Sequence, residues 1–263
     1  MKNKIIEHLP DNHPWQKQIF WFDTIDSTNS YAKALAMEGV PHGTVIFADR
    51  QTAGRGRLGR SFQSPAGMGI YMSVILRYPG SAEKLMHLTC AMAVAMCDAV
   101  EQAVGLRPGI KWTNDLVHEK RKLAGILTEL VTTPEETAAI VGIGINCNQT
   151  LEEFPPEIRG FAGSLSMATG EPVDRARLAS YMIRAVYDTD KYLFDCREEL
   201  LEAYKENCIT LGQDVSVVRG DEIRHAQALD IQPDGSLLVK LSDGTLESVS
   251  SGEVSIRGMY GYV

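Results

Sequence analysis

Three arginines alternate with three glycines in the short stretch "GRGRLGRSF", which begins at Gly54. Glycine permits backbone dihedrals that other residues avoid and lets the chain come close to a ligand. Arginine offers a planar fork of N–H donors that suits carboxylate and phosphate groups. The stretch can therefore form a loop that closes over an anion, although the stretch alone favours a solvated turn or a nucleic-acid patch.

Two common nucleotide motifs do not account for this loop. The GK[ST] of a Walker A loop is missing after the glycines. The spacing of Gly54, Gly56 and Gly59 matches GxGxxG, but the residues that follow, "SFQSPAGMGIYMS", are not typical of the helix that a dinucleotide fingerprint requires. The ligand of the loop must therefore be inferred from the other polar groups of the chain.

A second polar group lies around "KWTNDLVHEKRKLAGILTEL", where Lys111, Asn114, Asp115 and Lys122 flank an apolar strand. Because side chains alternate along a strand, we expect Lys122 to share a face with Ala124. A lysine ammonium is a compact charge that can lie between two anions. The run of basic residues at 120–122, taken alone, favours a solvated loop before the strand.

Two glycines, Gly142 and Gly144, stand two apart in the apolar stretch "VGIGINCN". On a strand, both would leave the same face without side chains, and such glycines often mark the close approach of a ligand or of another backbone. The pair thus fits a slot for a flat, apolar ligand, or a bulge or tight packing. With the two cationic groups, the slot suits the joining of a carboxylate to a nucleotide phosphate, in which positive charge and positioning lower the barrier.

The elements that position these residues can be predicted from the pattern. "WFDTIDSTNSYAKALAMEGV" predicts a strand end and a helix, which Ser27 or Thr28 can cap and Gly39 can end in the left-handed conformation. Residues 69–78 are apolar at nearly every position and predict a strand buried on both faces. Residues 81–105 predict one long, deeply packed helix that is capped near its first residue.

The rest of the chain predicts a sheet, a helical region and a small β unit. Stretches rich in Ile, Leu and Val predict an antiparallel or mixed sheet. A helical region follows over 174–207, and from about residue 214 short alternating stretches separated by "PDG" and "SDG" predict an all-β unit. We therefore expect an α+β fold with domains at 1–210 and 211–263, the second packed on the first.

The composition limits the classes of function. The chain has 263 residues, 44% of them hydrophobic, and a formal net charge of -8. Net acidity disfavours broad nucleic-acid binding, which needs a basic face. Five cysteines without CxxC spacing, no secretory signal and no apolar run of membrane-spanning length indicate a cytoplasmic protein that is not in a membrane. The histidines form no zinc motif.

Five stretches together resemble one enzyme family. They are "DSTN" (26–29), "QTAGRGRLGR" (51–60), "KWTNDL" (111–116), "KLAGIL" (122–127) and "GIGINCN" (142–148). In order and approximate spacing they resemble biotin–protein ligase, also called biotin–[acetyl-CoA-carboxylase] ligase. The likeness runs from about Trp21 to the C-terminus, if the β-rich tail is the family's small SH3-like domain. The resemblance implies a catalytic domain like that of class II aminoacyl-tRNA synthetases.

The resemblance also implies a two-step reaction and its participants. Biotin's carboxylate attacks the α-phosphorus of ATP with Mg²⁺ assistance, which gives biotinyl-5′-AMP and pyrophosphate. A lysine of a biotin carboxyl carrier protein or domain then takes the biotinyl group and releases AMP. Family members are monomers or homodimers, so the resemblance leaves the oligomeric state open.

Residue roles are implied by matching positions. The resemblance implies biotin contacts from Ser27, Thr28, Gln51, Gly54, Arg55, Arg57, Lys122, Gly125, Gly142 and Gly144. It implies contacts with ATP or the adenylate from Arg57, Arg60, Phe62, Asn114, Lys122, Asn146 and Arg257. In catalysis, Lys122 would bridge the biotin carboxylate and the phosphate, Arg57 would lie near both, and Asp115 would lie near the acceptor lysine. It assigns no metal ligands.

Two positions depart from the family pattern. Many bacterial members have tryptophan after the arginine loop, where it stacks on adenine, whereas this chain has Phe62, which offers less stacking area. The family usually reads KWPND, and Thr113 stands here in place of proline, which we expect to loosen the local backbone. Both changes bear on affinity and leave the chemical groups intact.

The sequence also bears on repressor activity and leaves two alternative functions. About twenty residues precede Trp21, too few for a helix-turn-helix unit, so we expect a monofunctional ligase without repressor activity or DNA binding. The nearest enzymatic alternative is a lipoate–protein ligase or octanoyltransferase, which has a related fold and also acylates a carrier lysine. The alternative from another class is a nucleic-acid-binding regulator that uses the arginine loop as its contact.

Overall fold

The structure is a computed structural model that describes residues 1–250 and the backbone of residues 255–258. The α-helices are α1 (Lys2–His8), α2 (Thr28–Met37), α3 (Leu88–Val104), α4 (Leu165–Thr169), α5 (Arg175–Tyr192) and α6 (Arg197–Asn207). The strands are β1 (Ile19–Ile25), β2 (Thr44–Gln51), β3 (Gly69–Pro79), β4 (Gly109–Lys111), β5 (Asp115–His118), β6 (Arg121–Thr132), β7 (Glu136–Asn146), β8 (Asp214–Arg219), β9 (Glu222–Ile231), β10 (Leu237–Leu241), β11 (Leu246–Val249) and β12 (Ser255–Gly258). Short 3-10 turns lie at Gln16–Gln18, Arg57–Gly59, Ala82–Leu85 and Leu151–Glu153.

A seven-stranded sheet in the order β1-β2-β3-β7-β6-β5-β4 forms the centre of the larger unit. Only β1 and β2 pair in parallel, and every other neighbour is antiparallel. The predicted mixed sheet is therefore confirmed. The long central strands β3 and β7 are buried along nearly their whole length, because helices cover both faces.

The alternation of side chains divides the core between the two faces of the sheet. On β2, Val45 and Phe47 join the main core with α3 and α5, whereas Ile46 joins a smaller cluster under α2. The main core holds most of the buried apolar side chains, including eleven of the seventeen residues of α3. The residues at the N-terminus of α2, to which the family resemblance gives biotin contacts, thus lie on the face that carries the smaller cluster.

The predicted start of α2 agrees with the structure, whereas the predicted start of α3 does not. Helix α2 begins after Ser27, whose hydroxyl accepts from Ser30 N, and Gly39 follows it at φ 79°, as the cap pattern predicts. The predicted long helix starts later than expected: Ala82–Leu85 form a 3-10 turn and α3 proper begins at Leu88. Tight 3-10 turns are frequent at helix starts, and no side chain caps this one.

A second sheet in the order β11-β10-β9-β8-β12 follows α6 and is antiparallel throughout. Its apolar side chains, among them Val215, Ala228 and Leu237, belong to the same core cluster as the first sheet. The predicted fold class, a mixed sheet with packed helices and a small β unit, is confirmed. None of the helices in the described part of the chain combines the length and hydrophobicity that crossing a bilayer requires.

Candidate active site

A cavity of about 910 Å³ opens on the face of the sheet that carries α2. It is large enough for a ligand of cofactor size. Its walls come from the glycine–arginine loop, the start of α2, the β4–β5 turn, β6, β7 and the segment 154–162. Among the residues with predicted roles, those that line it are Ser27, Thr28, Gln51, Arg55, Arg57, Arg60, Phe62, Asn114, Asp115, Lys122, Gly125, Gly142, Gly144 and Asn146.

The glycine–arginine loop is a small hairpin. Its two arms are joined by the pairing of Arg55 with Ser61, by Gly56 N donating to Arg60 O at 2.7 Å, and by Phe62 N donating to Gly54 O at 2.9 Å. A Cβ on Gly54 would lie 2.4 Å from Phe62 O. Gly54 is not among the residues that line the cavity, and its lack of a side chain lets the two arms approach.

Arg57 extends from this loop into the cavity, where its Nη1 donates to Asn114 Oδ1 at 2.8 Å. Burial lowers the pKa of the guanidinium from its ordinary value. The negative charge of Asp115 opposes this lowering, and the positive charge of Arg60 adds to it. Arginine nevertheless keeps its proton in proteins because its ordinary pKa lies far above neutrality. A charged donor is thus held inside a partly desolvated site, where electrostatic interactions are stronger than in water.

Lys122 is another cation that lines the cavity, and its Nζ lies 2.6 Å from Asp115 Oδ1. Its backbone is fixed by Lys122 N donating to Phe161 O at 2.6 Å and by Gly163 N donating to Lys122 O at 3.0 Å. A Cβ on Gly125 would lie 3.2 Å from the lysine Nζ. The absence of a side chain at Gly125 therefore gives the ammonium room to reach Asp115.

The predicted alternation around Lys122 is wrong. The register between β5 and β6 shifts, so that Val117 pairs with Lys122 while Leu116 pairs with Ala124. Leu123 is left as the extra residue of a β-bulge. Lys122 consequently lies on the face of Asp115 and Gly125, opposite to Ala124.

Uncharged polar groups form the opposite wall. Thr28 donates through its backbone N–H to Gln51 Oε1 at 2.8 Å and lies within 3.1 Å of the same oxygen through Oγ1. Gln51 Nε2 in turn donates to Ser64 Oγ at 2.8 Å. Ser27 and Thr28 are both buried at the start of α2. A polar, neutral ligand group fits this wall better than an anion, and an anion fits the side with Arg57 and Lys122.

Known proteins share both units of this fold. The family model "Biotin/lipoate A/B protein ligase family" matches residues 21–146, and the model "Biotin protein ligase C terminal domain" matches residues 210–257. The "Bifunctional ligase/repressor BirA" of Bacillus subtilis is 34% identical over 91% of this chain and 74% of its own length. The chain belongs to the biotin/lipoate A/B protein ligase family. The predicted family and the predicted enzyme class, a ligase, are confirmed.

Two further relatives strengthen the assignment to this ligase family. The "Biotin--[acetyl-CoA-carboxylase] ligase" of Mycobacterium tuberculosis is 31% identical, over 87% of this chain and 85% of its own. The structure of "Biotin protein ligase from Aquifex aeolicus in complex with biotin and ATP" superposes with a TM-score of 0.78 at 29% identity, over 91% of this chain and 98% of that one.

The two glycines of β7 are closely covered in this ligase. A Cβ on Gly142 would lie 2.1 Å from Asn29 Oδ1, and a Cβ on Gly144 would lie 2.6 Å from the ring of Phe62. Phe62, to which the family resemblance gives a nucleotide role, also lies edge-on to Tyr71. The face above the glycines therefore holds side chains packed tightly against the sheet, beside the open part of the cavity.

Three residues without a predicted role form a polar network that begins at the cavity wall, where Asn29 lines the cavity, and extends behind it. Asn29 Oδ1 accepts from Ser73 Oγ at 2.6 Å, and Asn29 Nδ2 donates to Leu127 O at 3.2 Å and to Glu129 Oε2 at 3.0 Å. Asn29 belongs to the quoted "DSTN" stretch, which was the available signal. Ser73 and Glu129 lie in strands that were recognised by their apolar residues, and that pattern gives no role to a polar residue.

Asn146 and Arg257, to which the family resemblance gives nucleotide contacts, lie in β7 and β12. Asn146 donates through Nδ2 to Gly163 O at 2.9 Å, which joins the end of β7 to the segment after residue 162. The backbone of Arg257 pairs with Ser216 in the second sheet. The side chain of Arg257 lies outside the described part of the chain, so its role stays a prediction.

The β4–β5 turn, which presents Asn114 and Asp115, is held by hydrogen bonds from later parts of the chain. Tyr204 OH donates to Thr113 O at 3.1 Å, Trp112 N donates to Thr210 Oγ1 at 2.9 Å, and Trp112 Nε1 donates to Gly235 O at 3.0 Å. All three hydrogen bonds are buried. The turn is thus fixed by α6 and by the second sheet, despite the threonine that replaces the usual proline.

We expect Tyr204→Phe to lower the free energy of unfolding by about 1–2 kcal/mol, because it leaves the buried Thr113 carbonyl without its donor. The ring stays, so packing is kept. Chemical denaturation of the variant beside Tyr192→Phe, whose side chain is 46% exposed, measures the difference. Equal stability of the two variants would refute the role of the hydroxyl.

Proposed function

We propose that this chain is an ATP-dependent biotin–protein ligase, which activates biotin as biotinyl-5′-AMP and transfers it to a lysine of a biotin carboxyl carrier protein or domain. One observation carries the proposal. Arg57 and Lys122, from distant parts of the chain, contact the consecutive residues Asn114 and Asp115 on one side of the cavity. The other side is neutral and polar, as the ureido ring of biotin requires. The Aquifex aeolicus relative is a complex with biotin and ATP.

In the first step a biotin carboxylate oxygen attacks the α-phosphorus of ATP. The bond from that phosphorus to the bridging oxygen breaks, and pyrophosphate leaves. Two anions meet in this step, and the positive charges of Arg57 and Lys122 lower the cost of their approach. Because the ammonium of Lys122 already rests on Asp115, the incoming anions would share or replace that contact.

In the second step the neutral amine of the acceptor lysine attacks the biotinyl carbonyl carbon. The bond to the AMP oxygen breaks, AMP leaves with the electron pair, and the amine loses a proton. Asp115 is the carboxylate that lies on the cavity wall beside Lys122, so we assign it the position next to the incoming ammonium. There its charge would orient the lysine and assist the loss of the proton.

Mg²⁺ enters the proposal only as a companion of ATP. In the described residues no group of three or more His, Cys, Asp or Glu side chains is placed to hold a metal ion. Magnesium is commonly held by one or two carboxylates together with substrate phosphates. The described residues therefore offer no dedicated cage for the ion, and we assign no step to it.

The decisive experiment measures both half-reactions. With ATP and Mg²⁺, biotin should cause pyrophosphate release, and a biotin carboxyl carrier domain should gain one biotinyl group by mass spectrometry. A carrier domain whose acceptor lysine is changed to arginine should gain none. Pyrophosphate release with lipoate and none with biotin would replace this proposal by the lipoate ligase alternative.

Three accompanying proposals concern the setting of the reaction. We propose that the catalytic unit comprises residues 1–210 and the second unit residues 211–263, and that the protein works in the cytoplasm as a monomer or homodimer. We also propose that it does not repress transcription, which its net charge of -8 supports. Salt-dependent binding to one DNA sequence in a mobility-shift assay would contradict the last proposal.

A further inference from the structure

Glu129 lies behind the cavity wall, where it contacts two cations from different elements. Its carboxylate lies 2.7 Å from Lys33 Nζ on α2 and 3.3 Å from Arg55 Nη2 in the glycine–arginine loop. A second contact joins Arg55 Nη1 to Glu129 Oε2 at 3.5 Å. Glu129 itself comes from β6, so this one carboxylate joins the loop, the helix and the sheet.

The Glu129 carboxylate is held in place by contacts that do not involve the loop. Its side chain is only 15% exposed, and Asn29 Nδ2 donates to it at 3.0 Å. Burial opposes the charged form, but the hydrogen bonds from Lys33 and Asn29 and the charge of Arg55 outweigh it, so the pKa of Glu129 lies below its usual value. Arg55, by contrast, belongs to an exposed loop and its side chain is 46% exposed.

The network continues from Glu129 to the neutral wall of the cavity. Asn29 also accepts from Ser73 Oγ, and Ser73 Oγ lies 2.8 Å from Thr28 Oγ1. Thr28 and Gln51 form the wall to which we assign the ureido ring. A continuous set of hydrogen bonds therefore joins that wall to the arginine that begins the loop.

We propose that Glu129 is a positioning residue that anchors the glycine–arginine loop through Arg55 and thereby retains the adenylate. Glu129 is not among the residues that line the cavity, so it acts through Arg55. The loop also contacts the body of the protein through Arg57, which donates to Asn114, and through Phe62, whose ring covers Gly144. In the proposed reaction Arg57 engages the adenylate, whereas Arg55 stays available to Glu129. Retention of the adenylate rests on the proposed function, whereas anchoring of the loop does not.

The anchoring is tested on the ligand-free protein with Glu129→Gln, which keeps the size of the side chain and removes its charge. Thermolysin cuts before exposed apolar residues, and Leu58 at the tip of the loop is 53% exposed. We expect the rate of the cut between Arg57 and Leu58 to rise about two- to fivefold, which corresponds to the free energy of a partly exposed ion pair. Mass spectrometry follows the cut. Glu135→Gln removes an exposed carboxylate on the β6–β7 turn and should leave the rate unchanged.

Two further variants separate this anchor from a general loss of structure. Lys33→Met removes the other cation and should cut at or below the wild-type rate. Arg55→Met should cut as fast as Glu129→Gln, and the double variant no faster than either. A wild-type rate in Glu129→Gln, or additive effects in the double variant, would overturn the proposal.

The effect on the adenylate is measured separately. Glu129→Gln should release biotinyl-AMP about two- to fivefold faster while forming it at the wild-type rate in a single turnover. If Glu129→Gln releases the adenylate at the wild-type rate but is cut faster by thermolysin, the anchor has no role in retention. That result would overturn the claim that Glu129 retains the adenylate. Absence of any adenylate in the wild-type protein would refute the proposed function and leave the thermolysin result intact.

Discussion

Lys122→Ala should reduce biotin-dependent pyrophosphate release by about 10²–10³-fold, the loss found when one preorganised donor to a developing anion is removed. Lys122 Nζ lies 2.6 Å from Asp115 on the cavity wall, so the variant removes an ammonium that lines the cavity. The variant also leaves the Asp115 carboxylate without this cation, which adds to the repulsion of the approaching anions. A stopped assay of pyrophosphate at saturating ATP and biotin measures the effect.

The matched control is Lys120→Ala, which removes the same charge two residues earlier. Lys120 is exposed in the β5–β6 turn and does not line the cavity, so its rate should stay within about twofold of wild type. Lys122→Arg should recover only part of the activity, because a guanidinium is larger and its planar fork cannot sit between two anions as an ammonium does. If Lys122→Ala and Lys120→Ala have the same rate, the central role of Lys122 is lost.

Gly142→Ala is the second large effect that the structure predicts. Gly142 pairs with Ser73 on one side and with Leu127 on the other, and Asn29 spans this gap by bonding to both neighbours. A Cβ would lie 2.1 Å from Asn29 Oδ1. Overpacking of this kind costs about 1–3 kcal/mol, and because Thr28 moves with Asn29, we expect the Kd for biotin to rise about tenfold.

Calorimetric titration with biotin and chemical denaturation measure these two effects. Gly160→Ala is the matched control, because a Cβ there meets no atom within 4 Å. The double variant Gly142→Ala with Asn29→Gly removes the clash and should regain stability, but it should not regain affinity for biotin, since the network is lost. A Gly142→Ala protein with wild-type affinity would show that the Asn29 network does not shape the biotin wall.

Much of the fold could be predicted because its signals are local. The cap at Ser27, the left-handed Gly39 and the apolar strand β3 follow from short-range preferences and from the period of the apolar residues. The charged members of the site were also accessible, since Arg57 and Lys122 stand out in an acidic chain with a net charge of -8. These features depend on a few neighbours in sequence.

The rest depends on partners that are distant along the chain. The bulge at Leu123, which moves Lys122 to the face of Asp115, arises from strand pairing and leaves no mark in the alternation of residues. Asn29, Ser73 and Glu129 acquire their roles only when α2, β3 and β6 meet. The late start of α3 likewise follows a 3-10 turn that the polar cap pattern near Ser81 did not reveal.

The buried hydrogen bonds of the β4–β5 turn set an order for the completion of the site during synthesis. Residues 111–115 leave the ribosome early, but the donors and acceptors that fix the turn are Tyr204, Thr210 and Gly235. A nascent chain that already contains every residue lining the cavity still lacks these three bonds. The turn that carries Asn114 and Asp115 can therefore reach its fixed arrangement only after residue 235 has been synthesised, so shorter ribosome-bound chains should hold the proposed adenylate poorly.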